Sequence, residues 1–239
     1  MIAPRAQSVA TPIVALDVAS AREALSLVER LGSACRFYKI GSELFTREGP
    51  EVVRSVRTAG CDVFLDLKFH DIPNTVRESA RAAASLGVRL LTVHASGGGE
   101  MVRAAVEGAG AACGVLAVTV LTSLDAGTLG AAWGRDGVTV EHEVLRLARV
   151  AEAAGAHGIV CSGHEAAQAH AAFPALALLV PGIRLPGGAG HDQARVSTPA
   201  DTVRAGARYL VLGRAVTGAA DPVAAMAAVN GAMESGARR

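Results

Sequence analysis

Lysine is almost missing from this chain: of its 23 Lys and Arg residues only Lys39 and Lys68 are lysine, and the other 21 are arginine. An excess of one charge is missing too. The 23 basic residues face 22 acidic ones, a formal net charge of +1, which excludes binding through a general basic field and so excludes nucleic acid or a membrane surface as the expected partner. The four cysteines, Cys35, Cys61, Cys113 and Cys161, form no C-x-x-C pair, which excludes a zinc knuckle and a dithiol redox motif. They read as small core residues of a protein kept in a reducing compartment. No stretch approaches the roughly 18 uninterrupted apolar residues of a membrane span. Before Pro12 the chain carries Arg5 and Gln7 and no apolar segment, so no secretory signal is expected and the cytoplasm is the expected location.

Short β-rich apolar runs alternate with Ala-, Leu- and Arg-rich stretches of helical period, punctuated by Gly or Pro. The alternation occurs eight times, with strands expected at 12–18, 36–41, 63–68, 90–94, 115–121, 158–162, 177–181 and 209–213. The expected helices are 20–31, 50–59, 75–86, 100–109, 141–154, 165–171, 199–205 and 222–233. Ser20 followed by Glu23 has capping-box spacing, and Asn74 is a candidate N-cap for the third helix. Strands such as Leu90-Leu91-Thr92-Val93, apolar on both faces, suit a parallel sheet covered by helices. Eight such units in 239 residues predict an α/β fold of one domain, a closed (β/α)₈ TIM barrel, with residues 1–11 a loose extension. An open doubly wound sheet is the alternative. The G-x-G-x-x-G fingerprint it needs for a dinucleotide is absent after the first strand, where Asp17 stands instead.

In a parallel barrel the active site lies at the C-terminal ends of the strands. Polar residues recur there: Asp17, Lys39, Asp66 with Lys68, His94, Thr122 with Ser123, Arg184, and Gly213 with Arg214. Singly, each reads as a solvated rim residue, but both lysines of the chain fall in this set. Asp66 and Lys68 are two apart, so on a strand they share a face and set a carboxylate beside an ammonium, while Asp71 falls beyond the strand end. A lysine between carboxylates keeps its proton and serves as a general acid or charge clamp, not as a Schiff-base nucleophile. After the seventh and eighth strands, Pro181-Gly182-Ile183-Arg184, the glycines at 187, 188 and 190, Gln193, and Gly213-Arg214 supply the backbone amides and arginine forks suited to a phosphate.

The segment 66–75, DLKFHDIPNT, resembles the signature of the orotidine 5′-phosphate decarboxylase family, and the similarity runs along nearly the whole chain. Asp17 in VALDV, Lys39 in YKIG, Thr122 in VLTS, Arg184 in PGIR, Gln193 in the DQ-R segment and Gly213-Arg214 in LGRAVT follow in family order. The resemblance implies loss of CO₂ from orotidine 5′-monophosphate without metal or organic cofactor. It further implies that Lys39, Asp66, Lys68 and Asp71 form an alternating charge network, with Lys68 protonating C6 and Asp66 against the departing carboxylate. Asp17 and Lys39 would hold ribose hydroxyls, Thr122 and Ser123 the pyrimidine edge, and Arg184, Gln193, Gly213 and Arg214 the phosphate. Asp71 and Thr75 would enter the site of the other subunit of a homodimer.

Two other readings remain open from the residues. One is another sugar-phosphate decarboxylase or a metal-dependent epimerase on the same barrel, with His70, His94, Asp66 and Asp71 as candidate ligands. The other is a nucleotide-binding barrel without catalysis, which has no need of Asp66, Lys68 and Asp71 together.

Overall fold

The computed structural model describes residues 10–185 and 197–238. Its strands are β1 (Thr11–Ala15), β2 (Phe37–Gly41), β3 (Asp62–Phe69), β4 (Leu90–His94), β5 (Gly114–Val118), β6 (Gly158–Val160), β7 (Ala177–Val180) and β8 (Tyr209–Leu212). They pair in parallel in sequence order, and β8 closes on β1, so the sheet is a closed eight-stranded barrel with helices between the strands. Thr11 pairs with Tyr209, and Ala10 is buried. Thr11 therefore belongs to the barrel wall and Ala10 packs into the core, so neither is part of a loose extension, while residues 1–9 lie outside the described residues.

Alternation along each strand sorts side chains to the two faces of the wall. Outward residues such as Val14, Tyr38, Ile40, Val63 and Leu91 join the layer packed under the helices. The inward residues Ile13, Phe37, Phe64, Leu90, Leu116 and Leu179 form a separate cluster that fills the barrel. Truncating a filler such as Phe64, 1% exposed, to Ala costs about 3–5 kcal/mol. This inner plug ends below the C-terminal rim. Two residues on from Phe37, Phe64 and Leu90, on the same inward face, stand Lys39, Asp66 and Thr92, so polar side chains form the next layer up.

Helix ends follow local chemistry. Ser20 Oγ accepts from Glu23 N at 3.3 Å, but the Glu23 carboxylate accepts from Ala19 N, so only half of the expected box forms. Asn74 is not an N-cap. Pro73 takes the first helical position of Pro73–Ser85, where its missing N–H costs nothing, and Ile72 precedes it as cap. That helix packs closely on Gly99–Ala109, where a Cβ at Gly108 would overlap the Arg77 carbonyl. Three short helices interrupt the simple repeat: Ser42–Glu48 after β2, Ala126–Trp133 after β5 and Arg214–Thr217 after β8. The four cysteines are buried and unbridged. Among the described residues no helix is long and apolar enough to cross a membrane.

Candidate active site

A cavity of about 570 Å³ opens at the C-terminal end of the barrel, floored by inward residues that include Ala15, Phe64, Leu179 and Val211. Asp17, Lys39, Asp66, Lys68, Thr122, Ser123, Arg184, Gly213 and Arg214 all line it. Several of these leave from loops a few residues beyond the strands. β1 ends at Ala15, two residues before Asp17, and β5 ends at Val118, ahead of Thr122 and Ser123. Gly213 caps the four-residue helix that begins at Arg214. Arg184 N donates to Ser197 O at 2.9 Å, fixing the described end of the loop after β7. Gln193 and the glycines 187, 188 and 190 lie outside the described residues.

Four charges alternate across β1, β2 and β3. Lys39 Nζ lies 2.8 Å from Asp17 Oδ1 and 3.9 Å from Asp66 Oδ2, and Lys68 Nζ lies 2.8 Å from the same Asp66 oxygen. The inner members, Lys39 and Asp66, are 12% exposed at the side chain, whereas Asp17 is 62% exposed. Gly41 leaves room for this row, since a Cβ there would sit 3.0 Å from Lys39 Nζ. The buried pair of opposite charges is mutually compensating, and the outer members remain open to the cavity.

The Asp66–Lys68 pair meets as the i, i+2 spacing predicts, but not on a regular ladder. Leu65 pairs with Leu91 and Phe69 with Val93, so residues 66–68 of β3 face the single residue Thr92 of β4. Lys68 has φ 52°, and among the described residues it alone holds positive φ without being glycine. Left-handed backbone costs a side-chain-bearing residue about 1–2 kcal/mol, and bulges of this kind gather beside active sites. Thr92, wholly buried, fills the gap: its Oγ1 donates to Asp66 Oδ1 and accepts from Lys68 N, both at 2.9 Å. In the sequence this threonine is masked by the apolar run around it. The available signal was a lone hydroxyl two residues after Leu90 on the inward face.

Asp71 and Thr75 do not join the cavity of their own chain. Both are exposed around the start of helix Pro73–Ser85. The Asp71 carboxylate accepts from Ile72 N and makes no ion pair among the described residues. Beside it Ile72 is 66% exposed. His70 and His94 stack with ring centroids 5.4 Å apart. Burial, then the neighbouring His70 and Lys68, pushes the His94 imidazole below its ordinary range, with Asp66 opposing. Among the described residues no three His, Cys, Asp or Glu side chains come together as a metal-ion site.

Residues 11–229 match the family described as orotidine 5′-phosphate decarboxylase / HUMPS. The orotidine 5′-phosphate decarboxylase of Anaeromyxobacter dehalogenans is 59% identical over 192 residues, covering 80% of this chain and 84% of that protein. The one from Halorhodospira halophila is 49% identical over 221 residues, covering 91% and 93%. The crystal structure of orotidine 5′-phosphate decarboxylase from Lactobacillus acidophilus superposes with a TM-score of 0.83 at 35% identity, covering 94% of this chain and 99% of that one. Similarity that spans the barrel from its first strand into its last helix, in sequence and in shape, makes this chain a member of the orotidine 5′-phosphate decarboxylase / HUMPS family.

Proposed function

We propose that this barrel is a carboxy-lyase that converts orotidine 5′-monophosphate to uridine 5′-monophosphate and CO₂, the last step in making that nucleotide de novo. The observation that carries the reading is the row Asp17, Lys39, Asp66, Lys68 along one cavity that Arg184 and Arg214 also line. The row suits charge chemistry, and the two arginines suit an anion.

Breaking the C6–carboxylate bond leaves the electron pair on C6, which has no electron sink in the pyrimidine plane. The site must therefore meet that charge with dipoles and cations already in place. Lys68 is the cation at C6 and delivers its Nζ proton there once CO₂ has left. Asp66, held by both lysines and Thr92, lies against the substrate carboxylate, and their repulsion is relieved as the carboxylate departs as neutral CO₂. Asp17 and Lys39 hold the ribose hydroxyls, and Thr122 and Ser123 the pyrimidine edge. Arg184, Gln193, Gly213 and Arg214 hold the phosphate, which a barrel of this kind takes after strands seven and eight at a short extra helix. No step in this chemistry needs a metal or organic cofactor.

The second part of the proposal is a homodimer in which Asp71 and Thr75 complete the partner's site. It is supported by the exposed Ile72 beside an Asp71 that forms no ion pair among the described residues of its own chain. Four unbridged buried thiols fit a reducing cytoplasm. The test is direct: purified protein is given orotidine 5′-monophosphate with and without a chelator, and the loss of its ultraviolet absorbance is followed. Turnover that the chelator leaves unchanged is expected. Failure to turn over this substrate, with decarboxylation of a 3-keto sugar phosphate instead, overturns the reading.

A further inference from the structure

Thr92 touches both halves of the central ion pair, and from opposite chemical sides. A hydroxyl has one proton to give, and here it goes to Asp66 Oδ1, leaving the oxygen lone pairs to accept the Lys68 amide. The first bond fixes which way the carboxylate is turned: with Oδ1 held by Thr92, it is Oδ2 that lies 2.8 Å from Lys68 Nζ and 3.9 Å from Lys39 Nζ. The second bond gives a buried partner to a backbone amide that the bulge has removed from the β3–β4 ladder, at the residue with φ 52°. Without it, that N–H would be unsatisfied and the left-handed conformation unsupported.

We infer that Thr92 is a positioning residue for the decarboxylation, orienting the Asp66 carboxylate and holding Lys68 in the strained backbone conformation from which its ammonium reaches the reacting carbon. Thr92 does not line the cavity, so it acts through its two partners. The inference rests on the decarboxylase reading for its kinetic consequence, but the geometry it describes is independent of substrate.

The test compares Thr92→Val, which keeps the shape and removes the hydroxyl, with Thr92→Ser, which keeps the hydroxyl. Turnover is normalised to sites that bind uridine 5′-monophosphate, so that a smaller folded fraction does not count. In Thr92→Val, kcat is expected to fall about 100-fold, the scale of an ångström-sized misplacement of a reacting group. Product affinity stays within about threefold, since the phosphate and ribose contacts lie elsewhere. Thr92→Ser is expected to recover kcat to within about fivefold of the wild type. If Thr92→Val does not fold, Thr92→Cys, a weak donor of similar volume, replaces it with the same expectation. Wild-type turnover in the variant without a hydroxyl, a serine variant as slow as the valine one, or parallel losses of kcat and product affinity would each overturn the inference. Crystal structures of the two variants read the same point without any substrate. Lys68 should leave positive φ in Thr92→Val and keep it in Thr92→Ser; an unmoved Lys68 and Asp66 in the valine variant overturns the inference. Absence of turnover in the wild type strikes the decarboxylase reading alone.

Discussion

Replacing Lys68 by arginine separates its charge from its proton. Lys68 Nζ lies 2.8 Å from Asp66 Oδ2 and borders the cavity, so a guanidinium at the same position keeps a cation next to the carboxylate. What it lacks is a proton that carbon can take, because arginine stays protonated with a pKa above about 12. General acid catalysis contributes roughly 10²–10⁴-fold, and the broader fork displaces the charge from the point where the carbanion forms. Together these predict a loss in kcat of at least about 10³-fold, or about 4 kcal/mol of transition-state stabilisation at 1.36 kcal/mol per decade. The assay is the absorbance change of orotidine 5′-monophosphate at saturating substrate, with uridine 5′-monophosphate affinity and thermal melting measured in parallel. Affinity for the product should change by less than about tenfold, since the phosphate and ribose contacts remain. Turnover within tenfold of the wild type would refute the assignment of the proton to Lys68.

Three more outcomes follow from the same geometry. Arg214→Ala should raise KM for orotidine 5′-monophosphate by about 10–100-fold, the value of a charge-assisted phosphate contact, and change turnover of the unphosphorylated nucleoside far less. Equal losses on the two substrates would remove Arg214 from the phosphate site. Equal mixing of inactive Lys68→Ala and Asp71→Asn chains should restore about a quarter of wild-type activity, since half of a twofold-symmetric population is mixed and each mixed dimer has one intact site. No recovery despite demonstrated subunit exchange argues against Asp71 acting across the interface. His94 is held neutral by burial and by the charges of His70 and Lys68, so the folded state takes up its proton at lower pH than the unfolded chain, whose histidines titrate near 6.5. Acidification below about pH 6.5 therefore draws protons to the unfolded state and lowers the melting temperature. His94→Asn should flatten this decline in part, leaving the share of His157, whose imidazole is also pushed down, by burial and by Arg208 and Arg89. An unchanged slope would show that His94 carries none of it.

The barrel was legible because eight β-rich apolar runs alternate with stretches of helical period, while the step from apolar plug to polar rim, Phe37 then Lys39 and Phe64 then Asp66, shows in the structure. Strand ends were less legible, and for a physical reason. β5 stops at Val118, yet Val120 is buried and lines the cavity with Leu121, so loop residues serving as cavity wall keep the apolar character of a strand. The helices Ser42–Glu48 and Arg214–Thr217 are too short to display a 3.6-residue period. Asp71 is marked by its motif, but the proposed destination across a dimer interface is not written in local pattern, since a residue serving a second chain would leave no mark of its partner in its own. Thr92 was hidden for the opposite reason: its single hydroxyl is wholly committed inside one chain, in a run that reads as core.

The scarcity of lysine acquires a structural reason at Lys39 as well as at Lys68. Lys39 Nζ lies between Asp17 and Asp66 with the Gly41 backbone so near that even a Cβ there would come within 3.0 Å. A planar guanidinium has five donors to satisfy and greater width, and a space closed on one side by backbone and on two sides by carboxylates accommodates a compact ammonium instead. Arginine serves elsewhere, as in Arg135 and Arg146 flanking the fully buried Glu143 carboxylate, where a fork reaching in from solvent is adequate. Lys39 thus sits where a compact ammonium holds the row of charges in register, and Lys68 sits at the end of that row, where the proposed chemistry needs a proton that arginine would not release.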